Sequence, residues 1–337
     1  MYDAILLVGF GGPEKSDDVL PFLENVLRGK NVPHERLLAV AEHYEMFGGV
    51  SPINEQHRVL LRALIEDLNT HGPQLPVYWG NRNWHPLLAE AIEKMAHDGV
   101  RHALAFVTSA FSSYSGCRQY LEDIQLAREE VGPAAPKVDK LRAFYNHPGF
   151  IEPMAEHVAS AIEQVPAERR AAAALIFTAH SIPLAMANGC RYEAQLREAC
   201  RLVAQRVGRP EWTLVYQSRS GSPAHPWLEP DVCDHLAQLG QQATVRDVVI
   251  VPIGFLSDHV EVIYDLDIEA RAVCEHFGIE MVRSLLVGSH PRFVRMIREL
   301  IRERVDANAP RLAVGNDGPS HDVCPPDCCP QRVASGA

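Results

Sequence analysis

Three things are missing from this sequence, and each absence excludes a class of protein. There is no long apolar run: no window approaches the roughly 18 uninterrupted apolar residues of a membrane-spanning helix. There is no excess of positive charge: the 337 residues carry a net charge of -11 and no basic stripe, which argues against a nucleic-acid partner. There is no phosphate-binding glycine motif, neither a Walker pattern nor G-x-G-x-x-G, so neither ATP nor a dinucleotide is implied. The N-terminus runs Met-Tyr-Asp straight into an apolar run with no basic n-region before it, so no signal peptide is expected. The expectation is a cytoplasmic protein whose eight cysteines serve as thiols or metal ligands rather than disulfides.

What is present reads as a soluble globular enzyme: 47% hydrophobic and 22% charged residues over a length that predicts about two domains. Short apolar, β-branched runs alternate with amphipathic stretches. Strands are predicted over Ala4 to Gly9, Val77 to Gly80, His102 to Thr108, Leu175 to Thr178, Leu214 to Gln217, Val248 to Pro252 and Met281 to Leu286. Helices are predicted between them, among them Ile53 to Leu68, Tyr192 to Val207 and Pro291 to Val305. Strands separated by helices demand parallel pairing and a sheet covered on both faces. The expected fold class is therefore α/β, as two similar three-layer halves. The tail after Asn308 has no periodic apolar pattern and by itself predicts a disordered linker.

The chemistry gathers at two strand ends. The run Val249 to Ile253, stopped by Gly254, leads into a helix with Ser257 or Asp258 as the expected N-cap. On that helix Glu261, Asp265 and Glu269 fall at i, i+4 and i+8 and form one acidic stripe. Like charges in a row destabilise a bare helix, and the ordinary explanation is a solvated face. Here, however, the stripe starts where open α/β sheets place their ligands, at the carboxyl end of a buried strand. The run ending in Thr178-Ala179-His180 delivers an imidazole to another strand end. Such a pair can move protons or hold a borderline ion such as Fe(II) or Zn(II).

His180-Ser181-Ile182-Pro183 and Ser257-Asp258-His259-Val260-Glu261, with Gly11-Gly12-Pro13-Glu14 and Gly48-Gly49-Val50-Ser51-Pro52-Ile53, resemble the signature stretches of the ferrochelatases. The resemblance runs from about residue 1 to residue 306. It implies two Rossmann-like three-layer domains with parallel sheets, in the manner of class II chelatases. Residues 1–110 with 283–306 would form the first, 111–282 the second, and 307–337 a cysteine-bearing tail. It implies insertion of Fe(II), a substrate, into a porphyrin without ATP. His180 and Glu261 would be the catalytic pair, and His180, Glu261, Asp265 and Glu269 the metal-handling residues. Whether His180 takes the pyrrole protons or delivers the metal is left open.

For the porphyrin, the family pattern points to Phe10, Trp227, Ile253 and Phe255 as walls; Arg28, Lys30, Ser51, Arg82 and Tyr120 are candidate partners for its carboxylates. The segment from Leu27 to Arg36 is polar and basic where membrane-associated members carry an apolar lip. The chain therefore looks most like the bacterial coproporphyrin III ferrochelatases, with protoporphyrin IX as the alternative substrate. Enzymes of the haem pathway or an iron donor would be its protein partners. A non-enzymatic porphyrin carrier would need the pocket but not the acidic stripe.

The cysteines carry a separate signal. Cys324, Cys328 and Cys329 are held among prolines and are one thiolate short of a zinc or 2Fe–2S site. Several ferrochelatases hold a 2Fe–2S cluster by one internal and three C-terminal cysteines, and Cys117 lies at the internal position.

Overall fold

The computed structural model describes residues 1–29, 34–220, 225–325 and 327–331. Two four-stranded parallel sheets organise them. The first contains β1 (Ala4–Gly9), β2 (Val77–Asn81), β3 (His102–Val107) and β4 (Lys137–Lys140) in the order β2-β1-β3-β4. The second contains β5 (Ala174–His180), β6 (Thr213–Gln217), β7 (Asp247–Val251) and β8 (Glu280–Arg283) in the order β6-β5-β7-β8. The α/β class expected from sequence is thus observed.

The two sheets share one strand order, so the halves repeat each other in topology although no sequence repeat announces it. In that order the winding reverses between β1 and β3, and again between β5 and β7. Ligands of open α/β sheets bind outside the carboxyl ends of the strands at such a reversal. In the second half these two strands end on His180 and on the loop that starts the acidic helix.

Strand β4, Lys137-Val138-Asp139-Lys140, was not expected. Four residues with three charges carry no apolar run, which suits the edge of a sheet. It pairs with β3, so the first sheet draws on residues up to 140, past the boundary expected at residues 110 and 111.

Both sheets are buried on two sides. Ile5 and Leu7 of β1 face a core shared with Leu175 and Phe177 of β5 and Val249 and Val251 of β7. Ala4, Leu6 and Val8 face a separate core, as do Ile176, Val248 and Ile250. Period-two alternation within fully apolar strands is what a sheet covered by helices on both faces requires. The helix Pro291–Val305 packs on Ile53–His71 and on Pro148–Gln164, and an Arg298–Asp67 ion pair at 2.6 Å fastens the first of these contacts.

Candidate functional site

Gly254 brings the two strand ends together. A Cβ there would lie 2.6 Å from Ala179 Cβ, so only glycine lets the chain leaving β7 pass against the residue before His180. The Gly254 N–H donates to the Thr178 carbonyl at 3.1 Å. His180 Nδ1–H donates to the Ser181 carbonyl at 2.5 Å, which places the lone pair of a neutral ring on Nε2. The Tyr192 hydroxyl donates to the His180 carbonyl at 3.0 Å and holds the strand end from behind.

The expected N-cap, Ser257 or Asp258, is corrected. The cap position is His259, without a side-chain cap bond. Asp258 is taken by Arg283, whose guanidinium reaches its carboxylate at 2.8 Å, and its N–H donates to Gln56 at 2.9 Å. His259 stands near both predicted catalytic residues. Its Nδ1 is 4.0 Å from Glu261 Oε2. Burial, then the fields of His180 and His57, lowers its pKa to about 3, so the ring is neutral. His57, on helix Ile53–His71 of the first half, is itself lowered to about 4 by burial. The site thus combines three imidazoles from both halves.

The acidic helix is not a plain α-helix. Val260–Ile263 is α-helical, Tyr264–Ala270 is a π-helix, and Arg271–His276 is α-helical again. An α-turn takes 3.6 residues, so positions four apart drift around its axis; the wider π-turn drifts the other way. The mixture keeps Glu261, Asp265 and Glu269 in line better than either helix alone. Asp265 accepts from the Ser218 hydroxyl and from Gln217 Nε2, the latter at 3.2 Å. Burial first, then Glu261 and Glu269, raises its pKa to about 7 against the opposing hydrogen bonds. Burial, then Asp231, also raises Glu269. Asp231, the N-cap of Val232–Gln242, thus extends the acidic series; its separation in sequence hid it from a stripe argument.

This yields a prediction with a definite sign. Below the ordinary Asp value of 3.8, Asp265 is protonated in both folded and unfolded chains. Between 3.8 and about 7 the unfolded carboxyl ionises while the folded one stays neutral, so stability is lost across that window as pH rises. Asp265→Asn removes the loss. Denaturation at pH 4 should show little difference, and at pH 8 the variant should be more stable, by at most about 4 kcal/mol. Equal stability at both pH values would show that Asp265 titrates normally.

The helices Ser16–Leu27 and His34–Glu45 roof this region. Val19, Phe22, Leu23, Leu37, Ala41 and Tyr44 pack with Val260, and Phe10 and Trp84 lean on them. The His43 ring stacks on Tyr264 with centroids 3.6 Å apart. Burial, then the Glu261 charge, pushes the Tyr44 phenol up, so Tyr44 adjoins the carboxylate. Neither tyrosine contact was anticipated, because each joins residues more than 200 positions apart.

The predicted porphyrin contacts divide. Phe10 is half-buried beneath this roof, and Phe255, also half-buried, stands edge-on to His259 with centroids 5.3 Å apart. Trp227 bridges to Pro183 beside His180, and its buried Nε1–H has no hydrogen-bond partner among the described residues. Arg28 is exposed and donates to Asn25 at 2.5 Å. Lys30 lies outside the described residues. Ile253 is corrected: it is fully buried, a core residue rather than a wall. Ser51 is buried against Gly12. Arg82 and Tyr120, expected as carboxylate partners, adjoin each other. Arg82 pairs with Asp123 and lies 4.5 Å over the Tyr120 ring, and Tyr120 is buried beneath it.

The cysteines converge. Cys117 is buried in a π-turn, Tyr114–Arg118, and Cys329 is buried against the body. A hydrogen bond with Cys324, helped by Lys140 and His321, pulls the Cys117 thiol down; the same bond pushes Cys324 up. Cys328 Sγ is 3.7 Å from Cys329 Sγ, and Arg118 donates to the Cys328 carbonyl at 2.8 Å. Two thiol pairs, Cys117 with Cys324 and Cys328 with Cys329, fit the two-per-iron ligation of a 2Fe–2S centre. His321 joins them: its ligating atom and those of Cys324 and Cys328 all lie within 4.8 Å of one another.

The expected disordered linker is corrected. The Arg142 guanidinium donates to the Leu312 carbonyl at 2.8 Å, Val314 N–H to Asn146 at 2.8 Å, Asn146 to Gly318 at 2.7 Å, and Tyr145 to Asp317 at 2.8 Å. Arg142 also pairs with Glu303 at 2.6 Å, both side chains 1% exposed. The tail docks through backbone polar groups, which composition does not record. Arg142→Ala should cost roughly 3–5 kcal/mol, since it leaves the buried Glu303 charge with only the more exposed Arg311, 3.7 Å away. Limited proteolysis should then cut between residues 309 and 318, whereas Cys→Ser changes should expose only the segment beyond; an uncut Arg142→Ala chain would show that the cysteines alone hold the tail.

Among the described residues no helix is long and apolar enough to cross a membrane. In fold, the chain is similar to the sirohydrochlorin chelatase SirB from Bacillus subtilis subspecies spizizenii, solved with cobalt (TM-score 0.55, 11% identity, 93% of this chain and 99% of that one). It is similar also to Bacillus subtilis SirB solved with Fe3+ (TM-score 0.52, 13% identity, 92% of this chain and 100% of that one). These likenesses concern fold alone. In sequence it is 57% identical to a ferrochelatase of Rhodopirellula baltica over 99% of this chain and 97% of the relative. It is 50% identical to the coproporphyrin III ferrochelatase of Streptomyces griseus over 100% of this chain and 95% of the relative. The ferrochelatase family profile matches residues 2–305, nearly everything up to the cysteine-bearing tail, and the chain belongs to that family.

Proposed function

We propose that this chain inserts Fe(II) into coproporphyrin III to form coprohaem, without ATP, in the cytoplasm. The observation that carries the chemistry is the acidic series on a part-π helix running to His259 beside His180. A porphyrin carrier has no use for a line of carboxylates leading away from its pocket. The 50% identity with a full-length coproporphyrin III ferrochelatase supports the choice of ring, as does the polar segment after Leu27.

Insertion requires two pyrrole protons to leave, the ion to lose its water, and the ring to bend. His180 brings an imidazole to the strand end, the side-chain type suited to accepting and releasing a proton in general acid–base chemistry. Glu261 offers a carboxylate that can both take up a proton and bind the incoming ion through oxygen. Asp265 and Glu269 shuttle cations or protons along the helix; the raised pKa of Asp265, about 7, lets it exist in both protonation states near neutrality. Phe10, Trp227 and Phe255 supply apolar surface for the macrocycle, whose binding offsets the cost of bending it.

Between body and tail, Cys117 with Cys324, Cys328 and Cys329 hold a 2Fe–2S cluster; soft thiolates in two pairs suit it. When bound, it supplies a one-electron couple and a cross-link between tail and body. An anaerobic absorbance assay with Fe(II) should show faster insertion into coproporphyrin III than into protoporphyrin IX, in the soluble fraction without detergent. A preference for protoporphyrin IX would reverse the assignment of substrate.

A further inference from the structure

We propose that His321 donates an N–H···S hydrogen bond to Cys328 and sets the reduction potential of the cluster held by the four cysteines. This rests on the cluster reading above. His321 Nε2 lies 3.9 Å from Cys328 Sγ, within reach of a bond to sulfur. Its nitrogen also lies within 4.8 Å of the Cys324 sulfur, so it addresses one sulfur from each thiol pair.

The chemistry assigns the direction of the bond. A thiolate bound to iron has lost its proton and can only accept. The ring nitrogen facing it must therefore carry the hydrogen. His321 is not needed as a ligand, because two cysteine pairs already provide two sulfurs per iron. It is exposed, whereas Cys117 and Cys329 are buried, so it covers the outer side of the group while the body covers the inner side. Reduction adds negative charge to the cluster and its sulfurs. A donor aimed at one of those sulfurs stabilises the reduced form more than the oxidised form and raises the potential.

The full chain is purified anaerobically as wild type, His321→Leu and His321→Gln. Iron and acid-labile sulfide are counted, the dithionite-reduced spectra are recorded by electron paramagnetic resonance, and the midpoint is titrated. All three proteins should hold two irons and two sulfides with the same type of signal. At the wild-type midpoint, His321→Leu should lower the ratio of reduced to oxidised cluster about tenfold, which is about 59 mV for one electron. His321→Gln keeps an N–H and should recover most of that shift. A normal cluster whose midpoint is unchanged in His321→Leu overturns this inference alone. Lost iron or an altered signal type in both variants makes His321 a ligand, which overturns it too. A wild type without labile sulfide overturns the cluster and the inference together.

Discussion

His180→Ala is expected to abolish iron insertion while leaving a folded protein that still binds porphyrin. The backbone around this residue is held by groups other than its ring: Tyr192 bonds its carbonyl, and the Gly254 N–H bonds Thr178 two residues earlier. The imidazole's bond to the Ser181 carbonyl is local, and losing a bond of that kind costs on the order of 1 kcal/mol. The neighbouring histidines cannot substitute as bases. His259 and His57, lowered to about 3 and about 4 by burial, resist protonation at any pH where the enzyme works. An anaerobic Fe(II) assay alongside a fluorescence titration of the porphyrin separates the two steps. Full activity in His180→Ala would remove His180 from the mechanism.

Glu261→Gln is expected to lower insertion at least about a hundredfold, the usual scale for losing a proton-transfer group. The substitution keeps size and hydrogen-bonding capacity but removes the charge that attracts a cation. A second effect separates this from mere damage. Glu261 is one of the two acids that hold the Asp265 pKa up, so its neutralisation should let that pKa fall from about 7. Any limb of the pH–rate profile belonging to Asp265 should move to lower pH in the variant. A slow Glu261→Gln enzyme with an unmoved profile would uncouple the two residues. An enzyme of undiminished rate would reduce the stripe to a solvated helix face.

Much of this was legible in advance, for reasons that differ by element. Strands β1, β5 and β7 are apolar on both faces and end at Gly9, at His180 and just before Pro252, so their existence and parallel pairing follow from local pattern. Strand β4 follows no such pattern: it is held at an edge by backbone bonds to β3 and by Asp139, which meets Tyr2, His102 and Arg304, and neither leaves an apolar run in the sequence. The acidic spacing was visible, but not that a π-turn would straighten it, because a turn's width depends on what packs around the helix. For Arg82, residue type alone suggested a carboxylate clamp; its pairing with Asp123 and its place over Tyr120 became visible only in the fold.

The sequence by itself determined the alternation of strand and helix, the presence of His180 and the acidic series at strand ends, and the family. The first two are matters of residue type and spacing within about twenty positions, where covalent geometry fixes which side chains share a face, and the family follows from four such short motifs in order along the chain. Only the tertiary structure decided that His57 and Tyr44 reach the second half's site, that Asp231 extends the acidic series, that the tail docks through Arg142 and Asn146, and that His321 meets Cys328. Those are meetings of distant segments or of backbone groups, set by how sheets and helices stack, and burial there moves pKa values that no residue carries alone.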